Sequence, residues 1–184
     1  CIVGFVNGSR VVIGGDRQAT GGYAKVNRVD KKVFKNGEFV IGFTTSYRMG
    51  QLIQYKFTPP KLTEGQDLMD YRVSDFVDGI RRTLRDGGFT IIDRNEEIGG
   101  TFLVGFRGRL FRIDSDFQVG ESFDKFDSVG CGQDFALGAM KIAIDLGEVD
   151  DKKILTEGLE TAHYFSAGVG GEFDFVEIGG EQHD

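Results

Sequence analysis

Cys1-Ile2-Val3-Gly4-Phe5-Val6-Asn7-Gly8-Ser9-Arg10-Val11-Val12-Ile13-Gly14-Gly15-Asp16 reads as two β-rich runs, Ile2 to Val6 and Arg10 to Gly15, folded about the turn tripeptide Asn7-Gly8-Ser9. The pattern repeats at once: Lys32 to Lys35 and Glu38 to Phe43 flank Asn36-Gly37, the strongest two-residue turn signal in the chain. Two helical segments follow. Tyr47 to Phe57 is stopped by Pro59-Pro60, and Met69, Val73, Phe76, Val77, Ile80 and Leu84 then recur at three- and four-residue intervals before the glycine stop at Gly87-Gly88. Strand periods return in Thr101 to Phe106 and Leu110 to Ile113 about Gly108, and more weakly from Ser122 to Val129. Phe135, Ala139, Ile142, Ala143 and Leu146 line one helix, Ile154, Leu155, Leu159 and Ala162 another, and Phe173 to Ile178 is a closing strand. Strands, two helices, strands, two helices and a strand do not make the βαβ alternation of a parallel sheet. The order predicts an α+β fold, a four-layer αββα sandwich with two antiparallel sheets between helical layers.

The length of 184 residues suits one core, and no linker or fixed-period repeat divides it, so residues 1–184 are expected to form a single domain. Hydrophobic residues at 40% and charged residues at 28% place the chain among folded soluble proteins, and no run nears 18 apolar residues. The net charge of −7 carries no basic stripe, which argues against nucleic acid or an anionic membrane as partner. Cys1 and Cys131 are too few for a disulfide framework, and neither they nor His163 and His183 stand at zinc-ligand spacing; no metal or cofactor is expected. His163 reads as structural or solvated, and Asp114-Ser115-Asp116 as a solvated strand-end turn. Phosphate binding lacks its glycine-lysine signature. The first ten residues show no basic segment and cleavage site, so a secretory signal is not expected unless a leader is removed before Cys1, and the two cysteines make a reducing cytoplasm the expected compartment. The 28 glycines imply many tight turns.

Cys1 is the most informative residue, because an N-terminal thiol would set a nucleophile and a free α-amine on one residue; the alternative reading is a numbering that begins within a longer chain, or an inert small residue exposed by Met removal. With a pKa near about 7.7–8.0 the amine is partly neutral at pH 7 and can take the thiol proton while the thiolate attacks a carbonyl. No histidine is then needed.

Gly14-Gly15-Asp16-Arg17-Gln18-Ala19-Thr20, with Asp30-Lys31-Lys32-Val33 downstream, resembles the N-terminal-nucleophile hydrolases of the proteasome β-subunit and HslV type. Ser128-Val129-Gly130-Cys131-Gly132 is similar to that family's Gly-Ser-Gly turn, and Gly170-Gly171 to the pair before its last strand. The resemblance covers nearly the whole chain and implies the αββα sandwich. It makes Cys1 the nucleophile in place of a threonine, Lys32 the cation that keeps the amine neutral, and Asp16 the carboxylate that orients Lys32. Thr45 would offer its backbone N–H to the oxyanion, and Thr20 and Thr45 would flank the pocket for the side chain preceding the scissile bond. Cys131 stands where the family has serine. Ser166 and Val169 stand where proteasome subunits carry aspartate and serine, as HslV also lacks them. Asp16 and Lys32 fall one residue earlier than in HslV, so either the first turn is shorter or Cys1 occupies the second position; the shorter turn is preferred, and strand parity separates the two.

The expected function is a self-compartmentalising peptidase that cleaves unfolded polypeptide through an acyl-enzyme. The alternatives are a catalytically idle ring-forming scaffold and a small-molecule amidase. The resemblance implies homo-oligomeric rings or stacked rings, with an ATPase unfoldase as a possible partner. Leu137, Ile144, Met49 and Leu52 read as a surplus apolar set on the helices, available for contacts between copies.

Overall fold

The computed structural model describes residues 1–93 and 96–179; His183 lies outside them. In chain order the strands and helices are β1 (Ile2–Asn7), β2 (Arg10–Asp16), β3 (Gln18–Gly21), β4 (Ala24–Asn27), β5 (Val33–Asn36), β6 (Phe39–Phe43), α1 (Tyr47–Tyr55), α2 (Leu68–Tyr71) and α3 (Val77–Asp86), the last two joined by a π-helical turn at Arg72–Phe76. There follow β7 (Ile91–Asp93), β8 (Glu96–Ile98), β9 (Phe102–Phe106), β10 (Arg109–Ile113), β11 (Val119–Gly120), β12 (Phe126–Val129), α4 (Gln133–Asp145), α5 (Asp151–Phe165) and β13 (Phe173–Ile178). One antiparallel sheet runs β12-β1-β2-β13 and the other β11-β10-β9-β6-β5. The hairpins β3-β4 and β7-β8 stand apart from both. Their short, mostly polar strands gave no readable period.

Alternation along the first hairpin assigns the layers. Ile2, Val11 and Ile13 meet Val40, Leu103 and Leu110 between the two sheets. Val3 and Val12, one residue out of phase, turn the other way onto Met140, Leu155 and Leu159 of α4 and α5. The outer face of the second sheet, with Ile41, Phe102 and Phe111, packs against Leu52, Ile80 and Leu84 of α1 and α3. The result is the expected αββα order. Glycine does more than turn the chain here. A Cβ on Gly42 would lie 2.5 Å from Ile2, and one on Gly105 would lie 2.6 Å from both Val11 and Val40, so the two sheets close on each other where side chains are missing.

Three expectations are corrected. The first turn has two residues, Gly8 and Ser9, because Asn7 pairs with Arg10 and joins the strand. The surplus apolar set on the helices is not on the surface: Met49 and Leu52 are core residues, and Leu137 and Ile144 are half-buried. Phe135, Ile142 and Leu146, expected to face the sheet, are exposed instead, as are Met69 and Val73 on the earlier helix. The cause on α4 is its partner. Gly158 of α5 leaves room for Met140, since a Cβ there would meet Met140 at 2.8 Å, so α4 turns its Ala136–Met140 line inward and rotates the bulkier stripe outward.

No helix among the described residues is long and apolar enough to cross a membrane.

Candidate active site

The apolar run of β2 ends at Asp16, which leaves a carboxyl at the end of the sheet beside Cys1, the residue that leads into β1. Asp16 N–H donates to the Cys1 carbonyl at 3.3 Å, continuing the register that sets Ile2 opposite Gly15. Asp16 Oδ1 accepts the Cys1 α-amine at 2.6 Å and Lys32 Nζ at 2.8 Å. Its Oδ2 accepts the backbone N–H groups of Gln18 at 2.9 Å and Gly170 at 3.1 Å. Asp16 is fully buried and Lys32 only 8% exposed, so four donors converge on one dry carboxylate. Burial pushes the Asp16 carboxyl up, but the α-amine and Lys32 together outweigh it and hold the group below the usual carboxylate range. Burial pushes the Cys1 amine down from its ordinary 8.0, Lys32 adds to that fall, and Asp16 opposes it without reversing it. The amine is thereby held toward its neutral, proton-accepting form.

The Cys1 thiol faces a different neighbour. Its Sγ lies 3.6 Å from Ser128 Oγ, and Ser128 gives its own proton to the Ile2 carbonyl at 3.0 Å, so the thiol is the donor of the pair. Cys1 shares the helix-facing side of its sheet with Val3. The amine, then, is the group of Cys1 that meets Asp16, on the oxygen that also accepts Lys32.

These residues open onto a cleft of about 530 Å³ whose walls include Cys1, Thr20, Lys32, Thr45, Tyr47 and Cys131. Thr45 ends β6's approach to α1 with φ 67°, a left-handed conformation that costs a β-branched residue about 1–3 kcal/mol. Its Oγ1 accepts Thr101 N–H at 3.2 Å, and among the described residues its own N–H has no hydrogen-bond acceptor. Ser46, next in line, caps α1 through Arg48 N–H. Thr20 accepts Gln18 Nε2 at 2.9 Å on the far wall. Gly130, at φ 103°, ends β12 so close that a Cβ would sit 3.5 Å from Cys1 Cα, and this carries the exposed Cys131 to the cleft rim. Ser166 stands behind the rim, half-buried, with its Oγ accepting Gly168 N–H at 3.4 Å.

The structure therefore brings Cys1, Asp16, Lys32, Thr20, Thr45 and Cys131 into one place and sets Ser166 outside the cleft wall. Sequence reasoning missed Gln18, Ser128, Tyr47, Arg112 and the Gly170 N–H. Gln18 and Ser128 lay inside quoted motifs; strand parity placing Ser128 beside Cys1 was the available signal. Among the described residues no group of three metal-ligating side chains is present, and Asp114 accepts Arg112 Nε at 2.7 Å.

No protein-family model and no curated protein matches the chain. Solved structures do. BPH of Thiobacillus denitrificans in complex with epoxomicin superposes with a TM-score of 0.78 at 20% identity, over 97% of this chain and 98% of that one. A second structure of the same protein gives 0.77 at 20% identity over 97% of each chain. Eukaryotic HslV from Trypanosoma brucei gives 0.67 at 21% identity over 96% of this chain and 97% of its own. At these identities the likeness is one of fold, and it spans the chain from end to end.

Proposed function

We infer that this chain is an N-terminal-nucleophile hydrolase of the HslV and proteasome type, a peptidase acting through an acyl-enzyme. The observation that carries the reading is the buried carboxylate of Asp16 holding the Cys1 α-amine and Lys32 on one oxygen. An amine held neutral by burial and by a neighbouring ammonium is a base suited to work near neutral pH. In the lead reading it takes the Cys1 thiol proton, and the thiolate attacks the substrate carbonyl. The unpartnered Thr45 N–H receives the oxyanion, and the amine returns its proton to the leaving amine. Water, activated by the same amine, then hydrolyses the thioester. Asp16 touches the base, Lys32 shares its oxygen and acts on the base by charge, and the two set its protonation.

A second reading keeps Asp16, Lys32 and Thr45 in these roles and gives the nucleophile's place to a residue preceding Cys1 in the mature chain. What favours it is the direction of the thiol, toward Ser128 and away from the charge pair. Cys1 would then be a strand residue, with its backbone nitrogen where the amine now lies. The mass of the mature N-terminus, with the site of acylation, separates the two.

The fold neighbours support a peptide substrate and assembly into rings of identical chains. Exposed Ile142 and Leu146 with Val149 on the α4–α5 side supply apolar area for such contacts. An ATPase unfoldase and a cytoplasmic site of action belong to the same reading. A turnover assay on a set of short fluorogenic peptides, with casein as unfolded substrate, tests it against the idle scaffold; amide hydrolysis confined to small non-peptide substrates favours the amidase alternative.

A further inference from the structure

The segment 166–171 between α5 and β13 brings a backbone donor to the charge pair. Gly170 N–H reaches Asp16 Oδ2 at 3.1 Å, and the Gly170 carbonyl accepts Arg17 N–H at 3.2 Å. Two side chains hold this segment. Gln18 Nε2 donates to the Ala167 carbonyl at 2.6 Å. His163, in the last turn of α5, lies with Nδ1 2.8 Å from the Val169 carbonyl, which fixes its proton on Nδ1, since a carbonyl only accepts. Between them Gly170 is pinched: a Cβ there would sit 2.5 Å from Gln18 Oε1 and 3.3 Å from the His163 ring. Contact, not a left-handed backbone, is what requires glycine at that point. His163 is no ordinary helix cap either. A cation or donor in the last turn commonly satisfies the helix's own free carbonyls, whereas His163 reaches past the helix end to the residue that precedes Gly170.

We propose that His163 is a positioning residue for the charge pair: by holding the Val169 carbonyl it clamps Gly170 against Gln18 and keeps the Gly170 N–H on Asp16. The clamp stands on geometry alone; its effect on turnover rests on the hydrolase reading. With the donor in place the Asp16 carboxylate stays aimed at the Cys1 amine and Lys32. Without it the segment swings, the carboxylate rotates, and the base loses its alignment.

The test uses the full chain carrying His163→Ala, His163→Asn, whose amide can still donate to Val169, and Gly170→Ala, which forces a Cβ into the clamp. Three readouts are taken: hydrogen exchange at the Gly170 amide, titration of the Asp16 carboxyl carbon by NMR, and kcat and KM on a peptide substrate. His163→Ala should raise Gly170 exchange by about tenfold or more and move the Asp16 titration upward, as loss of a donor to the charged form requires. It should lower kcat by about tenfold or more with KM nearly unchanged, the mark of lost alignment. His163→Asn should restore most of each, and Gly170→Ala should reproduce the losses. A lowered melting temperature with Gly170 exchange and the Asp16 titration unchanged in His163→Ala overturns the proposal. Changed exchange and titration in His163→Ala, alongside a wild-type chain that hydrolyses no peptide, uphold the clamp and sink the hydrolase reading instead.

Discussion

Asp16 Oδ1 lies 2.6 Å from the Cys1 α-amine, with both groups shut off from solvent. This contact ties the end of β2 to the start of the chain, and Lys32 shares the same oxygen. Removing one member leaves an uncompensated charge in a dry site. Asp16→Asn should therefore destabilise the fold by about 3–5 kcal/mol, and Lys32→Ala should reduce turnover by orders of magnitude with poor recovery in Lys32→Arg, whose planar fork does not fit an ammonium's place. Denaturant melts and steady-state kinetics of the three variants check this; unchanged values in all of them would make the pair a solvated bridge.

The amine sets the pH dependence. Its folded pKa lies below the unfolded 8.0, so the folded state binds fewer protons between those values, and stability from this group is present above 8.0 and lost as pH falls through the folded pKa. Asp16 works the same way at lower pH: its stabilisation is present above 3.8 and lost as pH falls through the depressed folded value. The rate profile kcat/KM should rise with pH through a midpoint below 8.0. Lys32→Ala should move that midpoint up, because a neighbouring positive charge is removed. A midpoint at or above 8.0 in the native chain would show that the amine is not the base.

Thr45 carries strain that glycine would not. Thr45→Gly should leave kcat within about threefold and raise stability by about 1 kcal/mol, because the N–H is kept and the left-handed backbone is relieved. A loss of activity beyond that range would assign a role to the Thr45 hydroxyl, which otherwise serves Thr101.

Assembly follows from the surface. Ile142, Leu146 and Val149 are respectively 58, 83 and 81% exposed, a large apolar area for an isolated chain. Sedimentation at micromolar concentration should show a closed oligomer, and Leu146→Glu should weaken it. A single species near 20.3 kDa would remove the compartmentalised peptidase and the scaffold together.

The layer order was legible because β1, β2 and β6 are apolar runs set off by turn signals and the four helical segments keep their period between glycine and proline stops. The helix faces were harder. On α4 two apolar stripes of similar strength compete, and the choice between them is made by Gly158 on another helix, which no local period reveals. The charge pair was legible through the resemblance, since Asp16 and Lys32 stand 16 residues apart and nothing local joins them. The direction of the Cys1 thiol and the Gly170 donor were not. Both depend on how β12 and the segment after α5 fold back against the first strand.

In the lead reading acyl transfer takes place at Cys1. The most direct measurement is trapping of the acyl-enzyme: brief reaction with an activated peptide ester, acid quench, digestion and mass spectrometry of the N-terminal and Cys131 peptides, in the native chain and in Cys1→Ala and Cys131→Ser. The account predicts the acyl group on Cys1, its loss with all hydrolysis in Cys1→Ala, and its persistence in Cys131→Ser. An acyl group on Cys131, or on a residue preceding Cys1 in a chain that still turns over as Cys1→Ala, contradicts it.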